Sequence, residues 1–338
     1  MPQNSPTPSP SLFMKATNAY QETAAIKAAI ELQIFTTINQ GIESAESLAQ
    51  KCQTSERGMR ILCDYLTIIG FLEKELSGYR LTPDSAMFLD QGSNTYIGNI
   101  IEFFLSPLIT NGFNNLTDAV RQGGTVVSAE GTLSPDNSVW VNFAKVMTPI
   151  MIMPGKVTAQ IVNGDSQQSI KVLDISAGHG LFGIAFAEQN PNAVIYAVDW
   201  EPVLEVAQQN AQLHGVSDRY HTISGSAFEV DYGSDYDLVL IPNFLHHFDM
   251  ETCEKLLRKV HHSLSVNGKV IVLALIPNSD RVTPPFISYF ALQMLATTPS
   301  GDAYTFAEYE SMLNNAGFSH CQLHSLPSIP YQLVSAIC

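Results

Sequence analysis

The period of the apolar positions changes along this chain. Through Ala24–Phe35 they recur at the three- and four-residue spacing of one helical face. SAESLAQKCQ (44–53) and SERGMRILCDYLTIIGFLEKE (55–75) keep that spacing as two helices joined by a short polar turn, and SGYRLTP (77–83) reads as a hairpin. The first ninety or so residues thus have the pattern of a winged helix-turn-helix. Residues 94–163 read as linking helices, including VWVNFAKVMTPIMIM at 139–153. From about residue 169 short apolar runs alternate with amphipathic stretches: VLDI, a helix over 181–188, VIYAVD, a helix over 202–214, HTISG, LVLIPN (238–243), a helix over 250–264 and KVIVLALIP (269–277). Such alternation predicts an α/β fold with a parallel, doubly wound sheet that binds ligands at the carboxyl ends of its strands. Helices over 284–297 and 305–316 follow. SHCQLHSL (319–326) and YQLVSAI (331–337) then predict a C-terminal antiparallel hairpin. The expected organisation is a disordered tail over 1–12, a helical winged-helix domain over 13–93, a helical linker over 94–165 and an α/β domain over 166–338.

Composition narrows the function. At 338 residues, 45% hydrophobic and 14% charged, the chain has ample material for two cored domains. Its net charge is −15, so it gains nothing from phosphate contacts, which argues against a nucleic-acid partner. The winged-helix pattern does not reverse that conclusion. Residues 1–90 hold seven Lys/Arg against ten Asp/Glu, and the would-be recognition helix offers only Arg57 and Arg60 near its start. A packing module at a dimer interface is the favoured reading. Five cysteines, at 52, 63, 253, 321 and 338, are scattered without a C-x-x-C pair, so neither a disulfide framework nor a metal site is expected. The Pro/Ser-rich N-terminus lacks the features of a signal peptide, and no run approaches the ~18 apolar residues of a membrane span. A cytoplasmic protein without a membrane partner is expected.

The candidate chemistry lies in KVLDISAGHGLFG (171–183) followed by VIYAVDW (194–200). A strand runs into a glycine-rich turn that opens a helix, and a second strand ends on Asp199, twenty-one residues after Gly178. In such a crossover the glycines let the backbone approach a nucleoside and the acid takes the ribose hydroxyls. GHGLFG also satisfies the dinucleotide pattern G-x-G-x-x-G, so a nicotinamide-dependent oxidoreductase has to be weighed. Asp174 counts against it, because a carboxylate four residues before Gly178 repels bound phosphates. S-adenosylmethionine (SAM) has an adenosine head, no phosphate and a cationic end, and fits better. The order Asp174, Ser176, Gly178, Gly180 resembles the acid-x-G-x-G-x-G signature of class I SAM-dependent methyltransferases, with Ser176 replacing the first glycine.

PNFLHHFDMETCEKLLRKVHHSL (242–264) with NGKVIV (267–272), FAKVM (143–147), MLATTPSGDAYT (294–305) and the GF at 317–318 extend the resemblance. Together with the winged-helix module they look like the small-molecule O-methyltransferases of plant and bacterial secondary metabolism, over nearly the whole chain. The resemblance implies a Rossmann-like SAM domain, a homodimer formed through the N-terminal domain, and S-adenosylhomocysteine (SAH) as product. It aligns His246 with the family's catalytic base. Asp199 is implied at the ribose and Trp200 beside the adenine, with Ser226, Ala227 and Phe228 around the adenine and Asn243 turned towards cofactor or substrate. Ser226 stands in place of an acid and Pro242 in place of a lysine. Met147 and Met294 match two methionines that grip the acceptor ring, and Phe143, Phe286, Tyr289 and Phe290 add aromatic surface. With Lys145 and Arg281 the only basic residues in these segments, a planar, largely neutral aromatic or polyketide-like acceptor is expected.

The chain departs from the family where it matters for the base. Ala274 and Ala303 occupy the positions of its two supporting acids. Asp249 and Glu308 are nearby acids, but each reads better as a helix cap: Asp249 for the helix beginning at Met250, Glu308 with Thr305 in a T-x-x-E capping box. His247 reads as a solvated or packing histidine. C- or N-methylation on the same fold stays open, since an enol carbon or an amine relies less on a supported base. A SAM-sensing winged-helix regulator is the alternative outside enzymes.

Overall fold

The computed structural model describes residues 8–133, 139–163, 167–326 and 329–338. It divides into two units that meet between Ile101 and Glu102. Of the tail expected over 1–12, residues 1–7 lie outside the described residues and Ser11 already starts a helix.

The N-terminal unit contains α1 (Ser11–Glu31), α2 (Ile34–Asn39), α3 (Ala45–Lys51), α4 (Glu56–Ile68), the hairpin β1 (Leu72–Glu75) and β2 (Gly78–Leu81), and α5 (Pro83–Phe88). Gln33, with φ of 53°, separates α1 from α2 within the apolar run read as one helix. Ser44 and Ser55 start α3 and α4 by accepting from the amides of Ser47 and Gly58, each at 3.1 Å, which satisfies donors that the first helical turn leaves free. The helix expected over 55–75 stops at Ile68. Gly70 takes a left-handed φ of 87°, and Leu72–Glu75 becomes a strand with Leu72 opposite Leu81. Ile34, Phe35, Leu48, Met59, Cys63, Leu66 and Tyr79 form the buried centre of this unit.

After α6 (Ile100–Phe104), the second unit continues with α7 (Pro107–Asn114), α8 (Leu116–Gln122) and the long α9 (Val139–Asn163). The α/β part follows as β3 (Ile170–Ile175), α10 (Leu181–Gln189), β4 (Ala193–Asp199), α11 (Glu201–Leu213), β5 (Tyr220–Ser224), β6 (Tyr236–Pro242), α12 (Met250–Ser263) and β7 (Leu264–Ala274). The chain closes with α13 (Pro285–Ser288), α14 (Phe290–Thr297), α15 (Phe306–Asn315), β8 (Ser319–Ser325) and β9 (Gln332–Ile337). The helix expected over 284–297 is therefore two, broken at Tyr289, and α9 continues past residue 153 despite Pro149 and Pro154.

One seven-stranded sheet runs in the order β5-β4-β3-β6-β7-β9-β8. β3 to β7 pair in parallel, whereas β9 is antiparallel to both β7 and β8, as the terminal hairpin predicts. The strand order reverses between β3 and β6, so the crevice of this Rossmann-like sheet lies at the carboxyl ends of those two strands. The turn after β3 carries the glycines, and the turn after β6 carries His246. Leu173, Ile175, Val239, Ile241, Val270 and Val272 fill the sheet's buried face. No helix among the described residues is long and apolar enough to cross a membrane.

Candidate active site

The glycine turn is held by its own chain. Ser176, Gly178 and Gly180 all have positive φ, at 56°, 56° and 76°. For glycine this is free, but for Ser176 it costs roughly 1 kcal/mol. The amide of Gly178 donates to Asp199 at 2.9 Å and that of Trp200 to the other carboxylate oxygen at 2.8 Å. Asp199 therefore sits under the turn with both oxygens engaged and lone pairs to spare.

Asp174 is not at the open face where the motif suggests a contact with the ligand. It is fully buried, and one oxygen accepts from the amide of Gly183, the third residue of α10, at 3.0 Å. That amide belongs to the first helical turn and has no partner within the helix, so the carboxylate is drawn beneath it. A Cβ on residue 183 would lie 2.6 Å from Ile195, and this close approach is why a glycine stands there. The ring of His179 accepts from the amide of Leu181 at 3.2 Å. The start of α10, which a dinucleotide site turns towards pyrophosphate, is thus already occupied by protein groups.

Charge at the turn fits SAM on observations of the fold itself. Burial pushes Asp174 up to about 7, against a weaker opposing pull from the Gly183 amide, and pushes Asp199 up to about 6. Among the described residues no ion pair reaches either carboxyl, and one oxygen of Asp174 has no hydrogen-bond partner. A ligand with a sulfonium and an ammonium relieves these buried acids, whereas two phosphates would add to their burden. Around the expected adenine position, Ser226 Oγ accepts from the amide of Phe228 at 3.3 Å, and Ala227 is buried. Lys259 Nζ donates to the carbonyls of Ala227 at 3.1 Å and Val230 at 2.6 Å, fixing this loop. Phe228 meets Phe248 with ring centroids 5.0 Å apart, and Phe244 lies beside both. Trp200 packs with Trp140 and Val141 against Ala144, Val203 and Val206.

On the other side of the crevice, Asn243 follows β6 in a left-handed conformation, φ 51°, that asparagine tolerates better than most residues. Its amide donates to the Leu273 carbonyl at 2.8 Å, and the chain then turns through a short 3₁₀ helix, Leu245–His247. His246 and His247 are both buried, with ring centroids 4.4 Å apart. Neither Nδ1 has a hydrogen-bond partner among the described residues. Burial holds His246 well below the ordinary histidine range, with a smaller push from His247, and lowers His247 to about 4. Both rings are neutral at pH 7. His247 is therefore a packing residue and not a solvated one, lying edge-on to Trp140 at 5.4 Å.

The acids near His246 serve elsewhere. Asp249 caps α12, accepting from the amide of Thr252 at 2.7 Å, and Glu308 accepts from the amide of Thr305 at 2.8 Å in the capping box. Asp302 accepts from the amide of Ala303 at 2.7 Å and pairs with Arg281 at 3.2 Å, and Arg281 also meets Glu308. The backbone takes part instead: the amide of Asp302 donates to the His246 carbonyl at 3.0 Å.

Several expected acceptor residues come together. Phe290 faces His246 edge-on at 4.8 Å, and Phe143 lies 5.4 Å from Trp140, which in turn meets His247. Phe103 extends this aromatic run, 4.7 Å from Phe143. Met147 and Met294 are buried, while Phe286 and Tyr289 are exposed and pair with each other at 5.6 Å. Trp140, Phe103, Phe244 and Phe248 escaped the sequence reading. Their aromatic character was the only signal, since the contacts Phe103–Phe143, Trp140–His247 and Phe228–Phe248 join stretches far apart in the chain.

Comparison with known proteins identifies the family. Residues 113–319 match the family model of the O-methyltransferase domain, and residues 14–91 that of the O-methyltransferase dimerisation domain. The chain is 26% identical over 317 residues to 3-hydroxy-5-methyl-1-naphthoate 3-O-methyltransferase of Streptomyces sahachiroi, covering 92% of this chain and 90% of that one. A solved structure from Nostoc punctiforme PCC 73102, described as a candidate O-methyltransferase, superposes with a TM-score of 0.96 at 67% identity, covering 98% of this chain and all of the other. Human N-acetylserotonin methyltransferase in complex with SAM shares the fold, with a TM-score of 0.84 at 21% identity over 99% of each chain. The chain belongs to the SAM-dependent O-methyltransferase family, with that family's dimerisation domain in front, and is an enzyme that methylates a small organic acceptor.

Proposed function

We propose that this enzyme transfers the methyl group of SAM to a hydroxyl of a planar aromatic or polyketide-like acceptor, as a homodimer. The observation that carries the reading is the neutral, buried His246 set within an aromatic run. SAM, when bound, supplies an electrophilic sulfonium methyl and leaves as SAH. The protein has then to hold a nucleophile in line and accept its proton. In this reading Gly178, Gly180 and Ser176 shape the turn, Asp199 takes the ribose hydroxyls, and Trp200, Ser226, Ala227, Phe228 and Asn243 surround the nucleoside. Asp174 acts through its field from beneath the turn. Phe143, Met147, Phe290 and Met294 grip the acceptor. The naphthoate acceptor named for the Streptomyces relative is of the expected shape.

His246 is able to receive a proton at pH 7 because burial keeps it neutral, but among the described residues no carboxylate pairs with the imidazolium it forms. Orientation therefore carries more of the rate here than base strength. His246→Ala is expected to lower turnover by about 10²–10⁴-fold while leaving SAM affinity nearly intact, with partial rescue as pH approaches the acceptor's own pKa. Near-normal turnover of the variant at pH 7 would favour the second reading, C- or N-methylation. That reading draws on the buried Ala274 and Ala303 in place of acids.

A further inference from the structure

Asn210, on α11, is buried and belongs to neither group of expected site residues. Its side-chain amide donates to the carbonyl of His179, in the glycine turn, at 2.8 Å and to the hydroxyl of Thr148, on α9, at 3.3 Å. Thr148 passes the connection on, its hydroxyl donating to the carbonyl of Ala144 at 2.9 Å. Ala144 follows Phe143, and Met147 precedes Thr148. A continuous chain of hydrogen bonds thus joins the cofactor turn to the stretch of α9 that carries the expected acceptor residues.

The place of this connection on α9 is informative. Pro149 and Pro154 have no N–H, so the carbonyls four residues before them, of Lys145 and Ile150, lose their helical partners and α9 is weakened between Lys145 and Pro154. The cofactor side holds this stretch at one point within it and at another just past its end. Asn210 holds Thr148, and Gly155 lies so close to α10 that a Cβ there would come within 2.8 Å of the Leu181 carbonyl. Among the described residues no other hydrogen bond connects the Phe143–Met147 segment to the turn.

We propose that Asn210 is a positioning residue that transmits order in the cofactor turn to α9 through Thr148, so that filling the cofactor site fixes the acceptor side of the crevice. The acceptor side is that of the function proposed above, but the tie itself is tested with SAH alone and needs no acceptor. Hydrogen exchange of the peptide covering 139–148 is to be followed with and without saturating SAH, alongside calorimetric titration of SAH. In the wild type SAH should slow exchange there by about fivefold or more. Thr148→Val cuts only the α9 end of the tie. It should retain SAH affinity within about threefold and lose the slowing, to less than about twofold, while Thr148→Ser should keep both. Asn210→Ala should lose the slowing and weaken SAH as well. The proposal is overturned if SAH slows α9 as much in Thr148→Val as in the wild type, or if α9 in the wild type is indifferent to SAH.

Discussion

Ser176 shows how a single residue can be legible in kind and still surprise in conformation. Its replacement of a glycine is plain in the sequence, but the left-handed φ of 56° it adopts is a property of the turn. Asp174 is the complementary case. Its spacing marked an acid at the turn, yet its side chain faces the amide of Gly183, because a helix start offers a better partner than open solvent. Asp199 carries the sharpest prediction at this scale. Its ligand-free carboxyl is raised to about 6 by burial, and ribose hydroxyls donate best to the ionised form, so SAM binding should release a proton from it. Affinity should be full above about pH 7 and fall as pH drops through 6, while Asp199→Ala should weaken SAM by roughly 1–3 kcal/mol at neutral pH. Calorimetry that finds equal affinity at pH 5.5 and pH 8, or no loss in the variant, removes Asp199 from the ribose.

Among the elements, the strands and helices of the α/β part follow the apolar pattern closely, because β3, β4, β6 and the second half of β7 are apolar runs buried along most of their length. The errors fall where period alone is ambiguous. LEKE (72–75) does not alternate, so it extended a helical reading into a strand, although Gly70 was the available stop signal. α1 poses a different question. Its second half buries Ala25 and Ala29, but Leu12, Phe13, Met14 and Tyr20 in its first half are all more than half exposed. Such apolar exposure within the dimerisation domain suits an obligate-type interface of about 2,000 Å² or more in total. The protein should run as a dimer in light scattering at micromolar concentration, and the double substitution Phe13→Glu, Tyr20→Glu should shift it towards monomer. A wild-type monomer would contradict this.

Taken whole, the molecule brings its chemistry together at the one place where strand order reverses. The glycine turn after β3, the acid ending β4 and the histidine after β6 reach that crevice from distant stretches of sequence. Motif spacing pointed to the glycine turn and to Asp199, because a parallel crossover fixes where a strand's last residues must lie, whereas His246 was marked only by the family resemblance. It could not find the aromatic run from Phe290 through His246, His247 and Trp140 to Phe143, which depends on tertiary packing of α14 and α9 against the turn. That run is the ground for expecting a flat acceptor, and the neutral histidine within it for expecting a hydroxyl. The most direct measurement is where the methyl goes. The enzyme is to be incubated with SAM carrying a ¹³C-labelled methyl and a panel of hydroxynaphthoates, hydroxyindoles and enolic polyketide analogues, and the products read by carbon NMR. The label is expected as a methyl ether on the acceptor's oxygen; label on a ring carbon or a nitrogen would rule out O-methylation.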